Sequence, residues 1–345
     1  MSPIILFSHS QRQCGVQQFG KQIFEALRDS TKYEFVYCEV GSAAEVRAIT
    51  LAQHAKAALF NFHPVTIGWA AGWTAWSLQI PTVGIMHEMT STLAEQVDDT
   101  LFDYYIFHDP SAKPRNPLFF TAGRLVQPPS TTASDLPVPS RFTIGSFGFA
   151  TAGKGFEALT ARAHAEFDDC LIRLNIPSSE FCDKDGSQAR IVAERCRSII
   201  SKPGVNIEIT HDFMSLNEVQ NYLAKNTLNA FFYEDQEARG ISSAVDLALS
   251  ARRPVALRRS SMFRHMFDAK PSIFIEERSL RDIAESGLAP LQPFIERWTP
   301  DGIRADYEKM FDTVLSRETE ATARLRWYQR AAKVEQILSA HAAGR

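Results

Sequence analysis

The chain has 345 residues, enough for two domains of ordinary size. It is 45% hydrophobic and 22% charged, which excludes a mostly disordered polymer. A formal net charge of −3 leaves no whole-protein basic field and argues against nucleic acid as a partner.

The apolar run Ile4–Phe7 is too short, and lacks the basic flank, for a signal segment. Ile4–Ser8 reads as a strand, and Val16–Leu27 as the helix that follows it. Between them Gly15 permits close backbone approach, and the helix start offers free N–H groups to an anion. An ordinary βα turn would look the same. Further strands are predicted at Glu34–Cys38, Ala57–Asn61, Thr82–Met86 and Tyr104–Phe107. Helices are predicted at Ala43–Gln53, Ile67–Leu78 and Thr92–Val97. The most apolar stretch, Ala57–Met86, is broken by Asn61, His63, Pro64 and Pro81, so it falls short of the ~20 clean residues of a membrane span. Trp69, Trp73 and Trp76 have helical spacing and read as the core face of one buried helix. His87 stands at the carboxyl end of a buried strand, where ligands of open α/β sheets bind; a surface histidine with a structural hydrogen bond reads equally well.

From Val126 to Ser140 the sequence VQPPSTTASDLPVPS holds four prolines and no period, the signature of an inter-domain linker. Alternation then restarts. Strands are predicted at Thr143–Phe147, Leu171–Asn175, Asn206–Ile209, Asn229–Tyr233, Val255–Leu257 and Ile273–Ile275. Helices are predicted at Phe156–Phe167, Gln188–Ile200, Leu216–Ala224, Ser242–Ala251 and Leu280–Ser286, with Ser215 and Glu218 spaced as a capping box. The tail from Asp301 to Ala342 is helical in pattern, with Tyr307, Phe311, Val314, Leu315, Leu325, Tyr328, Val334 and Ile337 recurring on its faces.

Three segments of this second half carry chemistry. The first strand runs into Gly148-Phe149-Ala150-Thr151-Ala152-Gly153-Lys154-Gly155. A lysine is unfavourable at a helix start unless an anion offsets the dipole, so Lys154 is predicted to sit beside a diphosphate rather than to be merely solvated. Gly240, Ile241 and Ser242 lead into the fourth helix, whose amides would face a phosphate. Asp246 shares a face with Ser242 and would accept ribose hydroxyls; alternatively Ser242 only caps the helix and Asp246 favours its positive end. The run Asp183-Lys184-Asp185-Gly186 matches a metal-binding D-x-D pattern but equally an acidic turn, which is the preferred reading. The tract Arg252, Arg253, Arg258, Arg259, Arg264, His265 is locally basic and reads either as a contact for an anionic donor or acceptor or as a solvated face. Five cysteines, odd in number and without CxxC spacing, read as reduced thiols of a cytosolic protein.

In order, these segments resemble the group 1 (family 4) retaining glycosyltransferases of GT-B fold. The residues that carry the likeness are Gly15 in CGV, His87 in MHE, Lys154 in AGKGFEAL, the run NIEITHDFMSLNEVQNYLAKNTLNAFFYED leading to Glu237, and Pro254-Val255. The resemblance implies an α/β protein of two Rossmann-like doubly wound domains facing a cleft. It places an acceptor-side domain at 1–125, a linker at 126–140, a nucleotide-sugar domain at 141–300, and C-terminal helices at 301–345 packing back on the first domain. It implies that Gly15 lies against the donor, His87 and Glu237 serve the transferred sugar, Lys154 pairs with the diphosphate, and Asp246 holds the ribose. Gly240, Ile241 and Ser242 complete the donor site. Glu237 and Asp246 stand one residue wider apart than the family's paired glutamates, and the second acid is shorter. Phe149 and Ala150 also stand where the family often has an arginine.

The expected activity is transfer of a sugar from a nucleotide diphosphate, with retention, to a saccharide or lipid-linked acceptor of polysaccharide biosynthesis. No metal and no cofactor is expected beyond the nucleotide sugar as co-substrate. The expected location is cytoplasmic, with room for peripheral contact at the inner membrane face. Two rivals share the fold: a nucleotide-sugar 2-epimerase, which needs no acceptor, and a non-catalytic subunit that binds sugar nucleotides.

Overall fold

The computed structural model describes residues 2–11, 14–130, 136–179, 182–236, 239–317, 329, 330 and 332. They fall into two compact units: residues up to 123 with those from 301 on, and residues 124–300.

The first unit holds a six-stranded sheet of β1 (Ile4–Ser8), β2 (Phe35–Glu39), β3 (Ala57–Phe62), β4 (Thr82–Met86), β5 (Tyr104–Phe107) and β6 (Phe119–Thr121). Every pairing is parallel, in the order β2-β1-β3-β4-β5-β6. β1, β3 and β5 are buried at every position, as strands covered on both faces must be. The chain winds outward from β1 to β2, then returns to β3 on the other side of β1. This places a topological switch point between β1 and β3. The crossover helices are α1 (Gly15–Leu27) and α2 (Ala43–Ala52), the latter capped by Ser42, which accepts from the Glu45 N–H.

The β3–β4 crossover departs from expectation. Instead of one helix over 67–78 it makes α3 (Pro64–Ile67), a 3₁₀ turn (Gly68–Ala70) and α4 (Trp73–Trp76). Gly72 sits at φ +63° and breaks the period, so Trp69 and Trp73 stay 36% and 52% exposed rather than lining a core. The predicted helix at 92–97 is a single turn, α5 (Ser91–Ala94).

The second unit holds five parallel strands: β7 (Thr143–Phe147), β8 (Cys170–Asn175), β9 (Val205–Thr210), β10 (Leu228–Phe231) and β11 (Val255–Leu257). Their order is β11-β10-β7-β8-β9, so the switch point falls between β7 and β10. The expected strand at 273–275 reduces to an isolated bridge between Leu257 and Phe274. Around this sheet lie α6 (Phe156–Glu166), α7 (Ser187–Ile199), α8 (Leu216–Ala224), α9 (Ala244–Ser250), α10 (Leu280–Glu285) and α11 (Gln292–Arg297). The capping box at Ser215 and Glu218 is formed in both directions at the start of α8. Asp183 and Asp185 serve the start of α7: Asp183 accepts from the Gln188 and Ala189 N–H groups, and Asp185 from that of Ser187. The proline-rich stretch also contacts this unit, where the Val126 N–H donates to the Trp298 carbonyl at 2.8 Å.

The last helix, α12 (Pro300–Arg317), buries Tyr307, Phe311 and Val314 in the first unit. His108, just past β5, donates from Nδ1 to the Gly123 carbonyl (2.8 Å), and its Nε2 lies 2.9 Å from the Tyr307 hydroxyl. Asp306 accepts from the Gly123 N–H at 2.9 Å, and Phe311 packs on Tyr33 and Phe35. The tail positions Leu325, Tyr328, Val334 and Ile337 lie outside the described residues.

Candidate functional site

Several of the sequence-predicted residues follow strand ends: Gly15 and His87 come after β1 and β4, and Lys154 after β7. In the first unit Gly15 opens α1, with no charged group in the helix's first turn. Among the described residues no atom lies within 4 Å of where a Gly15 Cβ would stand, so protein packing alone does not demand glycine there. His87 follows β4 and is half-buried, its ring 5.1 Å from the Phe19 ring and edge-on to it. Its Nε2 lies 2.8 Å from Oδ1 of Asn61, a fully buried side chain on β3. His9, after β1, is also buried there; burial lowers its pKa, Glu39 opposes this and His63 adds to it.

In the second unit Lys154 stands between two glycines in the left-handed region, Gly153 at φ +79° and Gly155 at φ +69°. A Cβ on Gly155 would come 2.1 Å from the Phe232 carbonyl oxygen, so only glycine fits where the loop crosses the end of β10. The Gly153 carbonyl accepts from the Glu234 N–H at 2.8 Å. Pinned this way, Lys154 lays its ammonium 3.8 Å from the centroid of the buried Tyr233 ring. A cation over an aromatic face in that geometry contributes roughly 0.5–2 kcal/mol.

Hydrogen bonds extend this rim. Gln236 donates to the Ala152 carbonyl and accepts from Arg239 Nε. Arg264 donates to the carbonyls of Arg239 and Ser261. Asp235 accepts from the Ser261 N–H at 2.8 Å, and hydrogen bonds from Ser261 hold its carboxyl below the usual range. The 148–155 loop, the end of β10, the lead-in to α9 and the 260–264 turn therefore form one connected edge.

Gly240, Ile241 and Ser242 make up that lead-in, but their polar groups are partly committed. The Ser242 N–H donates to the Met262 carbonyl at 3.1 Å, and the Ser242 hydroxyl accepts from the Ala244 N–H. Asp246 faces inward from α9. It is 4% exposed, and both carboxylate oxygens accept from Arg124, each 3.1 Å from Nε, with Nη2 closing the fork. Burial raises the Asp246 carboxyl and the Arg124 guanidinium pulls it back down. Arg124 escaped notice in the sequence because it stands at the edge of a proline-rich stretch, 122 residues from its partner. Glu237 lies outside the described residues.

His265 packs near the same ion pair, with its ring 5.5 Å from that of Trp298. Both ring nitrogens are buried with no hydrogen-bond partner among the described residues. Burial, then the charges of Arg124 and Arg264, push its pKa well below 6.5, so the folded state keeps the ring neutral. The unfolded chain binds a proton at about 6.5, so below that pH it holds more protons than the fold. Stability is therefore expected to fall as pH drops from 6.5 towards the folded-state value, with a slope approaching ~1.4 kcal/mol per pH unit. His265→Phe, which fills similar space without titrating, should flatten that part of the profile in urea melts. An equally steep decline in the variant would assign the slope to another group.

No family model and no curated protein matches the sequence. Solved structures do match in fold. A complex of Anabaena HepE with UDP and glucose superposes with a TM-score of 0.58 at 12% identity, over 96% of this chain and 100% of that one. A glycosyltransferase from Rickettsia africae gives 0.62 at 9% identity, over 92% and 99%. Sucrose-phosphate synthase from Thermosynechococcus elongatus gives 0.53 at 14% identity, over the full length of both chains. These are GT-B glycosyltransferases, and the chain shares their fold of two Rossmann-like units, as the sequence resemblance implies.

Proposed function

We propose that this protein is a glycosyltransferase whose second unit binds a nucleotide-diphosphate sugar and whose first unit serves the acceptor. Supporting this most directly is Lys154, a lysine fixed by two left-handed glycines at the switch point of the second sheet. Its ammonium rests on Tyr233, and the hydrogen-bonded rim that its loop joins also carries Arg239 and Arg264. A cation held there suits the charge that builds on a departing diphosphate. The fold likeness to a protein solved with UDP and glucose favours UDP and its sugars as the first donors to try.

In the transfer, the bond between the anomeric carbon and the diphosphate oxygen breaks as the acceptor hydroxyl oxygen bonds to that carbon, and the hydroxyl proton passes to the departing diphosphate. Lys154 stabilises the leaving group, and Gly240, Ile241 and Ser242 shape the donor side. Asp246 acts through Arg124, holding α9 and its lead-in in place, because its carboxylate is already engaged. Gly15 lies against the donor, His87 sits near the transferred sugar, and the resemblance assigns Glu237 to that sugar as well. Retention, independence from metal and a saccharide or lipid-linked acceptor are parts of the same proposal, as is a cytoplasmic site of action with peripheral membrane contact. Among the described residues, no helix is long and apolar enough to cross a membrane.

A thermal-shift panel of nucleoside diphosphates and their sugars tests the donor half. One base is expected to raise the melting temperature selectively, since a ligand at roughly 100 times Kd adds about 2.7 kcal/mol. A panel without any shift would remove the donor site. Incubation with the selected nucleotide sugar and no acceptor separates the rivals: an epimer would mark a 2-epimerase. Turnover of the donor only when saccharides are added would mark a transferase, and tight binding with no turnover would mark a binding subunit.

A further inference from the structure

The second unit leaves one hydroxyl without a partner beside its lysine. Tyr233 comes two residues after β10 and is only 2% exposed. Its ring packs on those of Phe263 at 4.9 Å and Phe231 at 6.2 Å, and it carries the Lys154 ammonium on its face. Packing of this kind asks for an aromatic ring, which phenylalanine would supply without a polar atom. Among the described residues no group hydrogen-bonds the Tyr233 hydroxyl, and its oxygen still touches the surface. A buried tyrosine usually finds a partner for its hydroxyl, because an unmade bond costs stability. The fold by itself gives no reason for an oxygen here.

Gly148 keeps the approach to that oxygen clear of side-chain atoms. This glycine follows β7 at φ +147°, and a Cβ on it would stand 3.6 Å from the Tyr233 hydroxyl. Lys154 comes from the same loop. Its ammonium lies over the ring and the hydroxyl lies at the ring's edge, close enough for one diphosphate to meet both. They stand past the ends of β7 and β10, the two strands that flank this sheet's switch point. Phosphate oxygens accept from an ammonium and from a phenol alike, whereas a cation would be repelled by Lys154.

We infer that Tyr233 is a donor-binding residue: its hydroxyl donates to the diphosphate of the nucleotide sugar, beside the Lys154 ammonium that its ring supports. The inference rests on the glycosyltransferase reading for its ligand.

Tyr233→Phe tests it, because this change removes the oxygen and keeps the ring, its packing and the cation–π contact. Without ligand, the melting temperature of the variant should not fall, since no bond within the protein is lost. Calorimetric titration with UDP, GDP, ADP and CDP should show that the diphosphate bound by the wild type is held roughly 10- to 100-fold more weakly, the usual worth of a hydrogen bond to a charged group. The phosphorus NMR signals of that bound diphosphate should differ between the two proteins. Unchanged affinity in Tyr233→Phe overturns the inference and leaves the glycosyltransferase reading standing. A lower melting temperature without ligand also overturns it, because the hydroxyl would then serve the fold. Weakened diphosphate binding in a protein that transfers no sugar would support the role of Tyr233 and overturn the functional reading. A wild type that binds none of the four diphosphates overturns both.

Discussion

Lys154→Ala is expected to lower sugar transfer by about 10²–10³-fold, the usual cost of removing one preorganised charge-stabilising group. The substitution removes a half-buried ammonium resting on Tyr233 and leaves the backbone path to Gly153 and Gly155, so the fold should survive. Losing the cation–π contact costs at most ~2 kcal/mol of stability. Affinity for the nucleoside diphosphate should drop together with turnover, because the ammonium acts on the same charge in both states. Lys154→Arg is the informative partner. Its planar guanidinium can still stack on Tyr233 but delivers charge with a different geometry, so binding should recover further than turnover. Calorimetric titration of the diphosphate beside steady-state rates separates the two effects. Near-normal rates in Lys154→Ala would remove this residue from the mechanism.

The second large effect concerns the buried pair of Arg124 and Asp246. Asp246→Ala or Arg124→Ala should each destabilise the protein by about 3–5 kcal/mol, because the surviving charge stays buried without its partner. The double replacement Arg124→Met with Asp246→Leu should cost far less than the sum of the singles, since desolvation of both charges is relieved together. Urea unfolding of the four proteins measures this as a double-mutant cycle. If Asp246 instead faced solvent and ribose, Asp246→Ala would weaken donor binding with little change in the unfolding midpoint. The geometry favours the stability effect, because both carboxylate oxygens are taken by one guanidinium.

Much of the fold is legible in the sequence because parallel strands covered on both faces appear as short uninterrupted apolar runs. Ile4–Ser8, Thr82–Met86, Tyr104–Phe107, Thr143–Phe147 and Val255–Leu257 keep the same bounds in the structure. What escaped depends on single backbone positions or on distant partners. The tryptophan spacing at 69, 73 and 76 is truly helical, yet Gly72 at positive φ ends the helix that the period implies. β6 has only three residues and no pattern of its own, and its pairing with β5 alone creates it. Lys154 and His87 could be found because they follow strand ends. Asn61 could not, since it sits inside the run AALFNF and looks like an interruption of a core strand. Its contacts appear only when Ser8, Val16 and His87, distant in sequence, meet around one amide.

The way the chain is divided also sets an order of events during synthesis. The unit of residues 124–300 is one continuous stretch, so its whole sheet has left the ribosome before α12 is made. The other unit is different: its six strands emerge first, but Tyr307, Phe311 and Asp306 arrive last. Until then Phe35 lacks the Phe311 ring that packs on it, and His108 lacks its hydrogen bond with the Tyr307 hydroxyl. The half of the molecule translated first is thus the half completed last.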